Sequence, residues 1–520
     1  GVISLTIPAG VMGASEVVLT GISALYPWIN FGTFDIVGNA MFPAMSADAA
    51  AAVGEVMMAA VGDHYVAGDG RVNENVALTS IHHIFHMEHD YQTQNLEIAL
   101  FQQDALNGTA GDHSILNDWQ VGVKTDAAVG TVSAANALIE SADDGDVAPT
   151  NIWVATDGIL ARDEDNNYYV VADGTVTGDL PMGHSIVLGR DGATIDATGS
   201  YTDAAGHVSW DQERMFQGVK LVVEMEYQHT AVDQYARAVS PDIPEFSAYS
   251  TDIDATINMA YSQGAFRFGH STLRETIDTI DPSGDMTGRI MSYALEQAFL
   301  NPALYEQVGA ASLVMGMTRQ VMNDIDEFVT PALQQGLLGL PMDLAAINIA
   351  RGRDVGLPTL NQTRALLDLT VYTSWNDFGQ NLYHSSSLVN FIAAYSFDGD
   401  IPSAQAILDN AATGDVAALN FLNGGNTDFN AIDMWIGGLA EAHISGGLLG
   451  ETFNVVFVDQ IQRLMDGDRF YYLYRLAGTQ FGDEIINEQF KDMVERTTGT
   501  THLNGNIFGY SDNYYELSDA

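Results

Sequence analysis

The 520-residue chain contains no cysteine. That absence excludes disulfides, thiolate metal sites and a cysteine nucleophile. Positive charge is scarce: 19 Lys and Arg stand against 68 Asp and Glu, a formal net charge of −49, which argues against nucleic acid as a partner. Such a surface stays soluble in saline water and attracts divalent cations. It suits a salt-tolerant secreted protein, and an acidic cytosolic protein of a halophile has the same balance. Long apolar runs are missing too. The Ala-rich stretch from Ser46 to Gly62 is interrupted by Asp48 and Glu55, so no membrane span is expected. The chain starts Gly1-Val-Ile-Ser-Leu, without an initiator Met or a cationic leader, and reads as a processed chain or the interior of a longer product.

What the chain has in quantity is apolar sequence, 47% of its residues, enough for a sizeable core. Residues 1–45 carry no clear period, and Ser46 can cap a helix running to about Gly62. The turn-rich run Asp69-Gly-Arg71-Val-Asn-Glu74-Asn75 then leads into a long helix from about Leu78 to Leu106. His82, His86 and His89 share one face of that helix by their spacing of four and three. Three histidines beside carboxylates could bind zinc or iron, but the zincin order His-Glu-x-x-His is absent. Packing and hydrogen-bonding histidines are the expectation. Between residues 127 and 208 the texture changes. Asp157-Gly158, Asp173-Gly174 and Asp191-Gly192 punctuate β-prone runs such as Tyr168–Val171 and Ser185–Leu188, which reads as hairpins in a β-rich insertion. Asp163-x-Asp165-x-Asn167 lacks the glycine and glutamate of an EF-hand, so a solvated turn is expected there.

Phe266-Arg-Phe-Gly-His270-Ser-Thr-Leu-Arg-Glu275 is the stretch around which the rest is organised. An imidazole can bind haem iron, a guanidinium one turn away can meet a propionate, and a glycine beside it leaves room for a flat macrocycle. Alone, a single histidine on a half-apolar helix is more often a core residue. Three further blocks change that: Asp69–Asp90, Met342–Arg364 with its run Asn348-Ile-Ala-Arg351-Gly-Arg-Asp, and Asp433–Arg475 with Trp435-Ile-Gly-Gly-Leu-Ala-Glu.

Together these blocks resemble the animal-type haem peroxidase superfamily, including its large secreted bacterial members, over about residues 62–500. The resemblance implies a mainly α fold, a peroxidase-like helical domain with a β-rich insertion. It divides the chain into an N-terminal segment (1–61), a first part of the domain (62–126), the insertion (127–208), the second part (209–500) and a C-terminal linker (501–520). It implies His270 as the proximal ligand of the haem iron, with Asn348 bonded to the far imidazole nitrogen. Arg267 and Arg351 would pair with the propionates, and Arg71 would be the distal arginine that polarises bound peroxide. Glu74 would be the acid that can form an ester with a haem methyl; Asn75 follows it where a sulfonium link needs methionine. His229 is expected to be structural. Met87 and Tyr91 stand where the family usually carries arginines.

The family's distal histidine motif and its calcium loop are not found. The only histidine upstream of Arg71 is His64, too close to serve as the distal base. The implied function is a secreted haem peroxidase that uses hydrogen peroxide to oxidise small electron donors such as halide, phenol or Mn(II). Its site would be completed by a preceding, cleaved segment of the same product. The alternative is a non-catalytic peroxidase-like scaffold of the cell surface or extracellular matrix.

Overall fold

The structure, a computed structural model, describes residues 64–107, 212–281, 290–335, 342–476 and 482–509 apart from a few single positions. It also describes Trp119 and the backbone of strands within 4–20 and 123–196. The N-terminal helix expected from Ser46, the Asp165–Asn167 turn and the end of the C-terminal linker lie outside the described residues. The chain forms two compact units, Gly1–Phe85 with Met225–Ala520, and His86–Glu224. The described fold is mainly helical.

Two short strands, β1 (Ser4–Ile7) and β2 (Val17–Thr20), pair antiparallel. The first long helix, α1 (Val76–Asn107), begins at Asn75, whose side chain accepts from the Leu78 amide as an N-cap does. In the second unit, seven strands make one sheet: β3 (Val123–Thr125), β4 (Ile152–Val154), β5 (Gly158–Asp163), β6 (Tyr168–Ala172), β7 (Thr175–Thr177), β8 (Ser185–Leu188) and β9 (Ala193–Asp196). β3 to β7 lie in sequence order, and β8 pairs with β5 and β9. Asp173 and Gly174 are the two residues between the paired Ala172 and Thr175. In the same unit Leu100 and Met215 pack with Leu96 and Trp119.

From Gln212 the chain is helical again, with α2 (Gln212–His229). The next stretch is not the single helix on which the Phe266–Glu275 block would place His270. A short α3 (Met259–Gln263) stops at Gly264, whose φ of −117° and ψ of −93° lie outside the helical region. A 3-10 turn (Ala265–Phe268) and one turn of α-helix, α4 (Gly269–Thr272), follow, and Leu273 is already extended. β-branched Thr276, Ile277, Thr279 and Ile280 then form β10 (Thr276–Ile280), paired with β11 (Ile290–Ala294). Such side chains lose little freedom in a strand and more in a helix.

That hairpin is backed by α5 (Pro302–Arg319). The approach is close enough that a methyl on Gly316 would overlap the Asp278 carbonyl. Gly316→Ala should therefore cost about 1–3 kcal/mol, read as a lower urea midpoint with an unchanged slope. The remaining helices that matter to the site are α6 (Leu344–Asp354), α7 (Leu360–Leu366), α8 (Leu388–Ser396), α9 (Met434–Ala440) and α10 (Glu451–Asp466). Asp343 caps α6 by accepting from the Ala346 amide. Gly437 and Gly438 let α9 lie flush against Leu360 and Phe453, where any side chain would clash. A core of Trp375, Phe378, Phe391, Ile392 and Phe429 fills the space beside α7 and α8.

Candidate functional site

His270 sits on α4, and the residues that follow it are pinned by Asn323. The Asn323 amide donates to the Thr272 carbonyl at 3.0 Å and its side chain donates to Leu273 O at 2.7 Å. Within the turn, the Ser271 hydroxyl donates to Phe268 O and the Thr272 hydroxyl to Gly269 O. Asn348, on α6, is fully buried, and its Nδ2 lies 2.7 Å from His270 Nδ1. Residues 78 positions apart in sequence thus meet side chain to side chain. The other ring nitrogen, Nε2, has no protein partner among the described residues, and a side chain on the adjacent Gly269 would meet nothing within 4 Å. Burial, and secondarily the Arg267 charge, push the His270 pKa down to about 4, so the ring is neutral at physiological pH.

Arg267, the propionate partner that the resemblance implies, has its guanidinium engaged by protein groups. Its Nη1 donates to Asn348 Oδ1 at 2.7 Å, its Nη2 to Gln263 Oε1 at 2.6 Å, and its Nε to the Ser262 carbonyl at 3.2 Å. Its backbone carbonyl accepts from the buried Trp435 indole at 3.2 Å. Desolvation, and then the nearby Arg351 charge, lower the Arg267 pKa. Arg351 itself is exposed, and no acceptor among the described residues takes its guanidinium. It is the cation of this pair that is open to an incoming carboxylate.

Arg71 and Glu74 lie in the turn before α1. Arg71 is exposed and forms a bidentate pair with Asp69, Nε to Oδ1 at 3.1 Å and Nη2 to Oδ2 at 2.8 Å. Those bonds hold the Asp69 carboxyl below its usual range. The Glu74 carboxyl is raised by desolvation, an effect that the Arg71 charge partly offsets. The turn is fastened by the Leu300 amide, which donates to Glu74 O at 3.2 Å.

The other histidines have their own settings. His229 is buried; its Nε2 donates to Glu488 O at 3.0 Å, and its Nδ1 lies 3.2 Å from both Asp233 and the Tyr472 hydroxyl. His89 packs on the Phe216 ring, and His86 is exposed.

Sequence reasoning passed over the roles of four residues. Arg353 makes a bidentate pair with Asp433, which also accepts from the Tyr395 hydroxyl at 2.7 Å. These three help line a cavity of about 390 Å³ that also touches Asn348 and Trp435. The fourth, Glu441, closes the Trp-Ile-Gly-Gly-Leu-Ala-Glu block and is buried under Arg364. The arginine-rich run after Asn348 was the available signal for Arg353, and the Trp435-to-Glu441 block the one for Glu441.

The model of the animal haem peroxidase family matches residues 204–508, which include His270, Asn348 and Arg351. The chain belongs to the animal haem peroxidase family. Among its relatives, peroxinectin A of Dictyostelium discoideum is 25% identical over 307 residues, 58% of this chain and 50% of that protein. Thyroid peroxidase of Sus scrofa is 26% identical over 277 residues, 51% of this chain and 26% of that protein. The solved peroxidase A of Dictyostelium discoideum aligns at 25% identity with a TM-score of 0.43, over 58% of this chain and 51% of that one. The chain spans about half the length or less of these relatives. This haem peroxidase family member therefore carries the His270–Asn348 pair inside the matched region, whereas Arg71 and Glu74 lie before it.

Proposed function

We propose that the chain binds haem through His270 Nε2 and acts as a haem peroxidase on small electron donors: halide, phenol or Mn(II). The observation that carries this reading is the 2.7 Å contact between His270 and buried Asn348, beside an uncommitted Arg351. The residues fit the group. A neutral imidazole whose Nε2 no described protein group bonds, open space next to Gly269 and an unpaired guanidinium are what an axial ligand, a macrocycle edge and a propionate need. Bound haem would supply the iron at which peroxide is reduced and donors are oxidised. The chain's own residues hold the imidazole in register, keep it neutral and offer Arg351 to a carboxylate. Arg71 would polarise peroxide once released from Asp69, and Glu74 would be the carboxyl available for an ester to haem.

The same proposal takes residues 62–126 and 209–500 as the peroxidase-like domain, with 127–208 inserted, and the product as secreted and bacterial. A preceding segment would bring the distal base, and calcium would come with it if at all. A second reading, a non-catalytic scaffold of the cell surface or matrix, is favoured by Arg71 being held in a bidentate pair. Absorbance titration with haemin followed by rapid mixing with peroxide separates the two. The enzyme reading expects a saturable haem spectrum and peroxide reduction, slower by about 10²–10⁴-fold than in a site with a positioned base. Absence of haem binding would leave the scaffold.

A further inference from the structure

The hydrogen-bond chain from Arg267 through Asn348 to His270 has a direction, and it runs against iron binding. A guanidinium N–H can only donate, so the atom of Asn348 that faces Arg267 is its carbonyl oxygen, 2.7 Å from Nη1. The amide nitrogen therefore faces His270. It too can only donate, so His270 Nδ1 presents its lone pair across the 2.7 Å contact. A neutral imidazole carries a single proton, which then resides on Nε2, the nitrogen with no protein partner among the described residues. A metal is taken only by an unprotonated ring nitrogen.

We propose that Arg267 is a positioning residue that latches Asn348 in the orientation that keeps His270 closed to iron, and that a carboxylate of the incoming macrocycle releases the latch. This rests on the haem-binding reading above. Release requires the Asn348 amide to turn over, so that Oδ1 accepts from Nδ1–H. Its Nδ2 would then face Arg267, donor against donor, so Arg267 must turn to another acceptor. A carboxylate is the stronger acceptor for a guanidinium, and one shared with the nearby Arg351 also relieves the repulsion between the two cations. The proton count balances: Nε2 gives one proton to water, Nδ1 takes one, and the ring stays neutral. By linkage, carboxylate capture and iron ligation favour each other by the same factor.

The tautomer is directly measurable in the full chain. With ¹⁵N-labelled histidine, long-range ¹H–¹⁵N spectra, assigned by loss of one ring system in His270→Gln, should show His270 protonated on Nε2 when no porphyrin is present. Asn348→Asp, which can only accept while keeping its pairing with Arg267, should move the proton to Nδ1. Arg267→Met should let a measurable Nδ1–H population appear. Iron-free protoporphyrin should switch the wild-type ring to Nδ1–H, because it brings carboxylates without a metal; its dimethyl ester should not. An Nδ1–H ring in the porphyrin-free wild type would overturn the latch. No change in Arg267→Met would remove Arg267 as its cause, and an equal response to the ester would remove the carboxylate as the release. If the chain takes up neither haemin nor protoporphyrin, the proposed function and the release step fall together, while the porphyrin-free tautomer still decides the latch.

Discussion

Arg364→Met is expected to destabilise the chain by about 3–5 kcal/mol, the cost of stranding a buried charge. Arg364 and Glu441 have side-chain exposures of 4% and 2% and meet at 2.7 Å. Glu441 accepts further bonds from the Thr452 hydroxyl and amide, both at 2.8 Å, and from the Tyr372 hydroxyl at 2.9 Å. Arg364 reaches Glu451 and the Thr370 carbonyl with its remaining nitrogens and lies over the Tyr372 ring. Burial alone pushes the Glu441 carboxyl up, and the Arg364 charge opposes that. With methionine at 364 the carboxylate keeps its desolvation cost and loses its counter-charge. Urea unfolding reads the loss. Arg364→Met/Glu441→Gln should be milder than the single change, because a neutral amide can stay among the same donors. A single variant within 1 kcal/mol of wild type would show that the pair contributes no more than an exposed one does.

Haemin affinity should fall by at least about 100-fold in His270→Gly, since even losing a group behind a metal ligand costs about 10–100-fold. Free imidazole, which fits the space vacated, should return the wild-type spectrum. Retained affinity without imidazole would place the ligand elsewhere. The pH dependence has a definite sign. With a folded pKa of about 4 against roughly 6.5 unfolded, the proton enters the unfolded chain first. The stabilising contribution of neutral His270 is complete above about pH 6.5 and is lost as pH falls through about 4. His270→Gln should remove that part of the acid slope in unfolding measurements. Competition of protons with iron for the ring should appear only as pH approaches 4.

The helical framework was legible where capping and periodicity coincide. The helix after Asn75 runs Val76–Asn107, close to the expected 78–106. β8 occupies the predicted Ser185–Leu188, and β6 runs one residue past Val171. The pairing of β10 with β11 was not legible as such, because the strands are short and follow a histidine block that looks helical. There β-branched residues prevailed over the pattern read across them. His270 and Arg267 stood out by residue type, but Asn348 and Arg351 were reached only through the resemblance; spacing alone does not bring position 270 to position 348. What the resemblance concealed was the orientation of Arg267, which depends on Gln263 and Ser262 as acceptors, two residues with no motif of their own.

The contacts that shape the site have a temporal consequence. His270 waits for Asn348, 78 residues later, and Arg267 waits for Trp435, 168 residues later. Arg364 meets Glu441 and Thr452 only after 77 and 88 more residues. Closing such loops precedes any gain from the contacts they permit, which slows folding. On a ribosome adding about 5–20 residues per second, the His270 segment would emerge many seconds before its partners. A ligand held by the assembled site is therefore acquired after synthesis of this region, not during it.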